Sequence, residues 1–384
     1  MYNRQEMEVY FDNAATTMVC VEATGAIFRV MREEYGNPSS LHYKGRRAAG
    51  ELDAARNAVA TALGARSNEI FFTSGGTEAD NWAILGAAEA FARNGKHIIT
   101  SAIEHDAVMT PIKSLERAGW EVTYLMPDSA GRITADAFAG ALREDTAFAS
   151  IMFVNNETGA INPIDEFSSE IRRRKLETVL HTDAIQGFCK IPFTVKTLGV
   201  ALLTVSAHKI HGPKGVGALY IRAGTKLPPR MLGGGQEDGK RSGTEALPAI
   251  AGFGEAARTS RIRFEETAAD IRKLRDYIMR RIAGEIPEAV FIGDGDSPYI
   301  LNLSLPGQKG EVLMSYLEGE GICVSRSAAC KRGARSHVLE AMRLRNDIID
   351  GALRVSFSRY NSLDEADFFV QTLKKASQML IKRT

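Results

Sequence analysis

From residue 69 the chain alternates short β-rich runs with amphipathic stretches, and this pattern constrains the fold more than any other feature. EIFFTS (69–74), KHIITS (96–101), WEVTYL (120–125), FASIMFVN (148–155), ETVLHTDA (177–184) and ALLTVSA (201–207) read as strands. Helical patterns fall between them, at 77–92, after Glu104, at 134–144 and from Pro163. VGALYIR (216–222) reads as a further strand or half of a hairpin. Strands alternating with helices predict an α/β fold with a mainly parallel sheet covered by helices on both faces. Ligands in such sheets sit beyond the carboxyl ends of the strands, so the informative residues should follow each strand directly. Near residue 260 the texture becomes a long charged helical pattern, then mixed strands and helices. We therefore expect a large domain over 15–259 and a smaller α+β domain from 1–14 and 260–384, joined through a continuous helix.

The chain has 384 residues, 44% of them hydrophobic, which is enough for two cores. Basic and acidic residues balance at 48 and 47, so overall charge points to neither nucleic acid nor a membrane surface. No apolar run approaches the roughly 20 residues that span a bilayer. The opening MYNRQEMEVYFDNAATT lacks the apolar segment of a secretory signal. Cys20, Cys189, Cys323 and Cys330 fit neither a disulfide framework nor a metal site. A reducing cytoplasmic setting is the expectation, one in which a free thiol can act as a reagent.

Three segments at strand ends carry chemistry. Ser74-Gly75-Gly76-Thr77 opens a helix. It is either an anion site, built from free N–H groups and the helix dipole, or a plain turn with Thr77 as N-cap. Asp183, in His181-Thr182-Asp183-Ala184-Ile185-Gln186, is either an N-cap or a buried acid paired with a protonated ring nitrogen. Lys209 follows the strand ending at Ser206 and precedes a Gly-rich turn. A desolvated lysine amine there would form Schiff bases; a surface loop lysine is the plainer alternative. Lys214, between Pro213 and Gly215, is its competitor.

Together these supply an anion cradle, a ring-nitrogen acid and an amine. YFDNAATT, GNPSSLHYKGR, TSGGTEADN, VNNETG, HTDAIQG, SAHKIHGPKGVGALY and GGGQEDGKRSGT occur in this order along nearly the whole chain. In these blocks the chain resembles the cysteine desulfurases, class V aminotransferase-type enzymes of pyridoxal phosphate (PLP) fold-type I. The resemblance implies a PLP-binding large domain with Lys209 attached to the cofactor. Asp183 would pair with the ring nitrogen, His105 stack on the ring, and Asn155 and Gln186 lie near the ring hydroxyl. Gly76, Thr77, Ser206 and His208 would bind phosphate. Thr244 would reach the phosphate of a neighbouring subunit, which implies a homodimer. Arg354 would clamp the substrate carboxylate, with Asn37 nearby.

Cys330 stands in Ser325-Arg326-Ser327-Ala328-Ala329-Cys330-Lys331-Arg332-Gly333-Ala334-Arg335. Cations favour its thiolate, whereas the other three cysteines have apolar neighbours typical of a core. In the enzymes that the chain resembles, a cysteine here takes sulfur from L-cysteine as a persulfide and L-alanine leaves. The sulfur then passes to an acceptor, such as an iron–sulfur scaffold or a tRNA-thiolation protein. The run before Cys330 departs from the Ser-Gly-Ser-Ala run of long-loop members. Its four cations suggest a basic patch for an acceptor with an acidic docking face. The rival expectations are another PLP reaction on the same fold, selenocysteine lysis or transamination, and a sulfur carrier with little catalysis of its own.

Overall fold

The computed structural model describes residues 8–327 and 335–380. Seven strands form the large sheet, in the spatial order Ile70–Thr73, Gly217–Ile221, Leu202–Ser206, Val179–Asp183, Thr146–Ser150, His97–Ser101 and Glu121–Leu125. Gly217–Ile221 runs against both its neighbours, and every other pairing in the sheet is parallel. The ambiguous 216–222 segment is thus an interior strand, one place from the sheet edge. The interior strands are buried along their full length, as strands covered on both faces must be, whereas the edge strand Glu121–Leu125 is partly exposed. Helix Gly76–Phe91 lies across the strand ends on one face. Helices Val21–Arg32, Tyr43–Leu63 and Leu247–Ile262 pack together. Gly254 lets the last two approach closely, since a Cβ there would stand 2.5 Å from the Ala55 Cα.

A second sheet, ordered Ser325–Arg326, Ala352–Ser356, Ile300–Ser304 and Val290–Ile292, is antiparallel throughout. Beside it Val9–Tyr10 pairs in parallel with Ile322–Cys323, so the start of the chain joins its end. Phe11 meets Phe357 and Phe369 edge-on, with centroids 5.4 and 5.6 Å away, inside the core that Phe264–Glu285 and Leu363–Met379 cover. Val338, Leu339 and Ile349 pack instead into the core of the large sheet.

Two sequence expectations need correction. The expected continuous helix is two helices, Leu247–Ile262 and Phe264–Glu285, with Arg263 between them at φ −94°, ψ 10°. The first packs on Tyr43–Leu63 and the second on Leu363–Met379, so one straight rod could not serve both cores. The strand expected over 148–155 ends at Ser150. Beyond it the chain follows its neighbour for a few residues, through Ile151 N–H to His181 O and Phe153 N–H to Asp183 O, and then turns at Asn155. Among the described residues, no helix is long and apolar enough to cross a membrane.

Candidate active site

The carboxyl ends of the large-sheet strands open into a cavity of about 370 Å³. Asp183 is the last residue of its strand and is buried. Burial raises its pKa, the charges of His105 and Lys209 act in the opposite direction, and its Oδ1 accepts the Ile185 N–H at 2.9 Å. Two more carboxyls lie nearby. Burial pushes Glu104 up to about 8, and Asp80 is also raised by burial and by the Asp183 charge. His181, buried between Ser150 and Thr204, is pushed down to about 3 and is neutral. A cationic partner in the cavity would therefore favour ionisation of Asp183, which faces it, over that of Glu104.

Lys209 ends the single turn Ala207–Lys209 that follows strand Leu202–Ser206. Its Nζ donates to Ala14 O at 2.5 Å and Ala15 O at 2.7 Å and lines the cavity. The segment supplying those carbonyls also braces the turn, because Thr17 Oγ1 donates to His208 O at 2.9 Å. Burial and then the Lys209 charge push His208 down to about 4. The competitor Lys214 lines only a neighbouring recess.

That recess lies at the N-terminus of helix Gly76–Phe91, between Ser74–Thr77 on one side and Ser206 and His208 on the other. The N-cap is Gly75 rather than Thr77, and no side chain caps the helix. Gly75 has φ 151° and ψ −178°, a conformation essentially restricted to glycine. A Cβ on Gly76 would stand 2.2 Å from the Ile185 Cδ1, so a side chain there would have to displace the end of Ile185. Uncapped N–H groups at a sixteen-residue helix suit a phosphate.

His105 caps helix Asp106–Arg117, its Nδ1 accepting the Ala107 N–H at 3.1 Å. That contact occupies Nδ1 and leaves Nε2 without this partner, and the ring lines the cavity. Gln186 lines the cavity too, with Nε2 donating to Ala14 O at 2.8 Å. Asn155 is different. Its Oδ1 accepts the N–H groups of Glu157 and Thr158, both at 2.9 Å, and its Nδ2 donates to Ile103 O at 3.1 Å. It serves as a turn residue, and its neighbour Asn156 forms the cavity wall.

Across the cavity, Arg354 comes from the second-sheet strand Ala352–Ser356. Arg354 is 3% exposed; its Nη1 donates to Asn156 O and its Nη2 to Asp12 Oδ1, both at 3.0 Å. Its buried Nε has no hydrogen-bond partner among the described residues, which suits an incoming carboxylate. Glu157, raised to about 7 by burial, is hydrogen-bonded by the Ser336 hydroxyl. His337 Nε2 lies 3.0 Å from Glu104 O. Sequence reasoning missed Asn156, Glu157, Ser336 and His337, as well as the carbonyls of Ala14 and Ala15. Asn156 and Glu157 lay within VNNETG, and Ala14 and Ala15 within YFDNAATT, blocks already singled out, but nothing in either block says which of its residues turns to the cavity.

Asn37 lies on an exposed loop, its Oδ1 accepting the Ser39 N–H, and is not part of the cavity wall. Thr244 is also exposed and away from this chain's own cavity. Its loop is nevertheless anchored, by Arg56 to Glu237 at 2.7 Å and by Arg241 to Glu78 at 2.8 Å. Cys330, Lys331 and Arg332 lie outside the described residues; Ser327 and Arg335, on either side of them, line the cavity. Burial pushes the Cys189 thiol up to about 12 and raises those of Cys20 and Cys323, in keeping with inert structural thiols. The expected basic patch is weaker than its residue count. Arg326 pairs with Glu311, and Arg335 with Asp350 at 2.7 Å.

An amine and a buried acid at adjacent strand ends, an uncapped helix N-terminus and a glycine under close packing all fit PLP. A comparison with known families matches residues 9–369 to "Aminotransferase class-V", and the chain belongs to that family. Within the family it groups with the cysteine desulfurases. It is 41% identical over 377 residues to "Cysteine desulfurase IscS" of Dictyoglomus turgidum, covering 97% of this chain and 95% of that one. Among solved structures it is similar to a "NIFS-LIKE PROTEIN" at TM-score 0.92 and 38% identity, covering 97% of this chain and all of the other. It is also similar to "SspA in complex with cysteine", at TM-score 0.78 and 31% identity over 93% of this chain and all of that one.

Proposed function

We propose that the chain is a PLP-dependent cysteine desulfurase that converts L-cysteine to L-alanine and passes the sulfur through Cys330. The observation that carries this reading is the convergence of Lys209, Asp183 and Arg354 on one cavity, with the Ser74–Thr77 helix end beside it. Gly76, Thr77, Ser206 and His208 bind the cofactor phosphate, Asp183 holds a proton at the ring nitrogen, and Gln186 and His105 border the ring. When bound, PLP supplies an electron sink next to the substrate's α-carbon.

Arg354 binds the substrate carboxylate and so orients the thiol-bearing carbon. Lys209 would hold the cofactor through its amine and, with that amine free, would move a proton at the carbon that becomes alanine. The Cys330 thiolate attacks the substrate sulfur: its S–S bond forms, the substrate C–S bond breaks, and the bonding pair stays with the carbon that is protonated. Cys330 is left as a persulfide for an acceptor, in iron–sulfur assembly or tRNA thiolation. The cofactor domain is 15–259, and 1–14 with 260–384 form the second. The anchored, exposed loop of Thr244 supports a homodimer in which that residue reaches the partner's cofactor, and we place the enzyme in the cytoplasm. An acidic docking face on the acceptor would have to meet Lys331 and Arg332, since Arg326 and Arg335 already have carboxylate partners.

The deciding assay measures alanine and sulfide from L-cysteine with wild type and Cys330→Ala. We expect both products from wild type. The variant should keep its cofactor but form no persulfide. Cysteine turnover undiminished in Cys330→Ala, or persulfide found on Cys20, Cys189 or Cys323, would remove Cys330 from the reaction.

A further inference from the structure

Just outside the cavity lining, beside Lys209, lies a lysine that the proposed reaction does not use. Lys190 is 7% exposed. Its Nζ is 5.7 Å from the Tyr299 ring centroid and donates to Gln186 Oε1 at 3.2 Å. It follows Cys189, whose φ of 55° is uncommon for any residue but glycine. A small void of about 30 Å³ separates it from Lys209. Burial, and then the charges of Lys209 and Arg354, push its pKa down to about 7. A methionine would fill the same space without desolvating an ammonium, so packing alone does not account for the amine.

The hydrogen-bond inventory supplies an account. A carboxamide has one acceptor end and one donor end, and a flip exchanges them. Below a pH of about 7 the Lys190 ammonium can only donate, so in that range it fixes Gln186 Oε1 towards itself. Ala14 O can only accept, so it fixes Gln186 Nε2. Both constraints select the same orientation, and Nε2 keeps a second hydrogen beyond the one given to Ala14 O, in a residue that lines the cavity. Ala14 O also accepts from Lys209, so Lys190, Gln186, Ala14 and Lys209 form one connected set.

We infer that Lys190 is a positioning residue: from just outside the cavity lining it locks the Gln186 carboxamide so that its NH₂, not its oxygen, faces the cofactor ring. The inference rests on the proposed cofactor site. Without Lys190 only the bond to Ala14 O holds the orientation, and the donor to the ring oxygen is no longer preset.

The test compares wild type, Lys190→Met, Gln186→Leu and the double variant after loading with PLP. The readouts are cofactor dissociation constant, the pH midpoint of the visible band, and the melting temperature of the cofactor-free protein. Lys190→Met should bind PLP roughly tenfold more weakly, about the effect of one hydrogen bond to a charged group. Its visible band should titrate at higher pH, because a donor that draws charge from the ring oxygen is no longer fixed. Its melting temperature should be unchanged or raised, because a buried ammonium has been replaced by an apolar chain. In the Gln186→Leu background the Lys190 substitution should change neither the spectrum nor the affinity further. An unchanged spectrum and affinity in Lys190→Met overturns the inference. So does an equal shift in both backgrounds, which would mean that the lysine charge acts through space rather than through Gln186. Wild type that acquires no visible band with PLP would instead overturn the proposed function itself.

Discussion

Two walls face each other across the cavity, and different interactions hold them. The cofactor wall consists of residues that follow strands of the large sheet, fixed by backbone groups or close packing: Lys209 on the Ala14 and Ala15 carbonyls, Asp183 on the Ile185 N–H, and Gly76 against the Ile185 side chain. The substrate wall consists of side chains drawn from distant parts of the chain and held by one another. Arg354 spans Asn156 O and Asp12, the latter 342 residues away, and Glu157 meets the Ser336 hydroxyl. The first wall is rigid because the sheet is; the second depends on buried charge, and one of its acids titrates near neutrality. Substitutions in the first wall should therefore remove cofactor chemistry outright, whereas those in the second should tune binding and pH response.

Lys209→Ala is the largest break. Turnover should fall by about a thousandfold or more, since both the attachment point and the proton carrier are gone. Borohydride reduction should leave no tag on the protein; a tag on Lys214 would move the attachment point. Asp183→Asn keeps an oxygen for the Ile185 N–H but loses the charge. Its turnover should drop on the order of a hundredfold, about 2.7 kcal/mol, with weaker cofactor retention. Near-normal kcat would take Asp183 out of the mechanism.

The substrate wall should respond differently. Arg354→Lys keeps a charge but loses the planar fork, so KM for L-cysteine should rise roughly tenfold while kcat changes little. An equal fall in kcat would mean that Arg354 acts in the transition state rather than in binding, and the contrast between the walls would fail. The smallest effect belongs to Glu157. Its folded pKa of about 7 lies above its ordinary value of 4.5. Between those values the folded state binds the proton and the unfolded state does not. This contribution to stability is fully present below pH 4.5 and is lost as pH rises through 7. Glu157→Gln should flatten the melting temperature between pH 5 and 7 relative to wild type; parallel profiles would mean that Glu157 is ionised in the fold throughout.

The same contrast explains what the sequence disclosed. Lys209, Asp183 and the Ser74–Thr77 turn were legible because each follows a strand whose apolar run announces it. The large sheet followed from alternation alone. Asn155 and Asn156 show where such reading stops. Adjacent asparagines look alike in a sequence, and only the turn geometry decides which carboxamide satisfies backbone N–H groups and which residue forms the cavity wall. Arg263 is similar, because helical periodicity continues across it and only the presence of two cores on either side forces the break. Lys190 carried no signal of its own, since nothing in its spacing says that a charge is turned inward.

The carbonyls that receive the Lys209 amine have a consequence for how the protein is made. Ala14 is itself held by the far end of the chain: its N–H donates to Ser356 Oγ at 2.8 Å, and Asn13 Nδ2 donates to Ser356 O at 3.0 Å. Val9–Tyr10 pairs with Ile322–Cys323, another late arrival. Synthesis proceeds from the N-terminus, so the shelf beneath the Lys209 amine is made early but gains its anchor at Ser356 only near the end. Residues 9–14 complete their pairing only once the chain has been made as far as residues 322–356. On the proposed function, a chain cut short before Ser356 should therefore hold PLP less well than the full chain, because the Ala14 carbonyl that receives the Lys209 amine has lost its anchor.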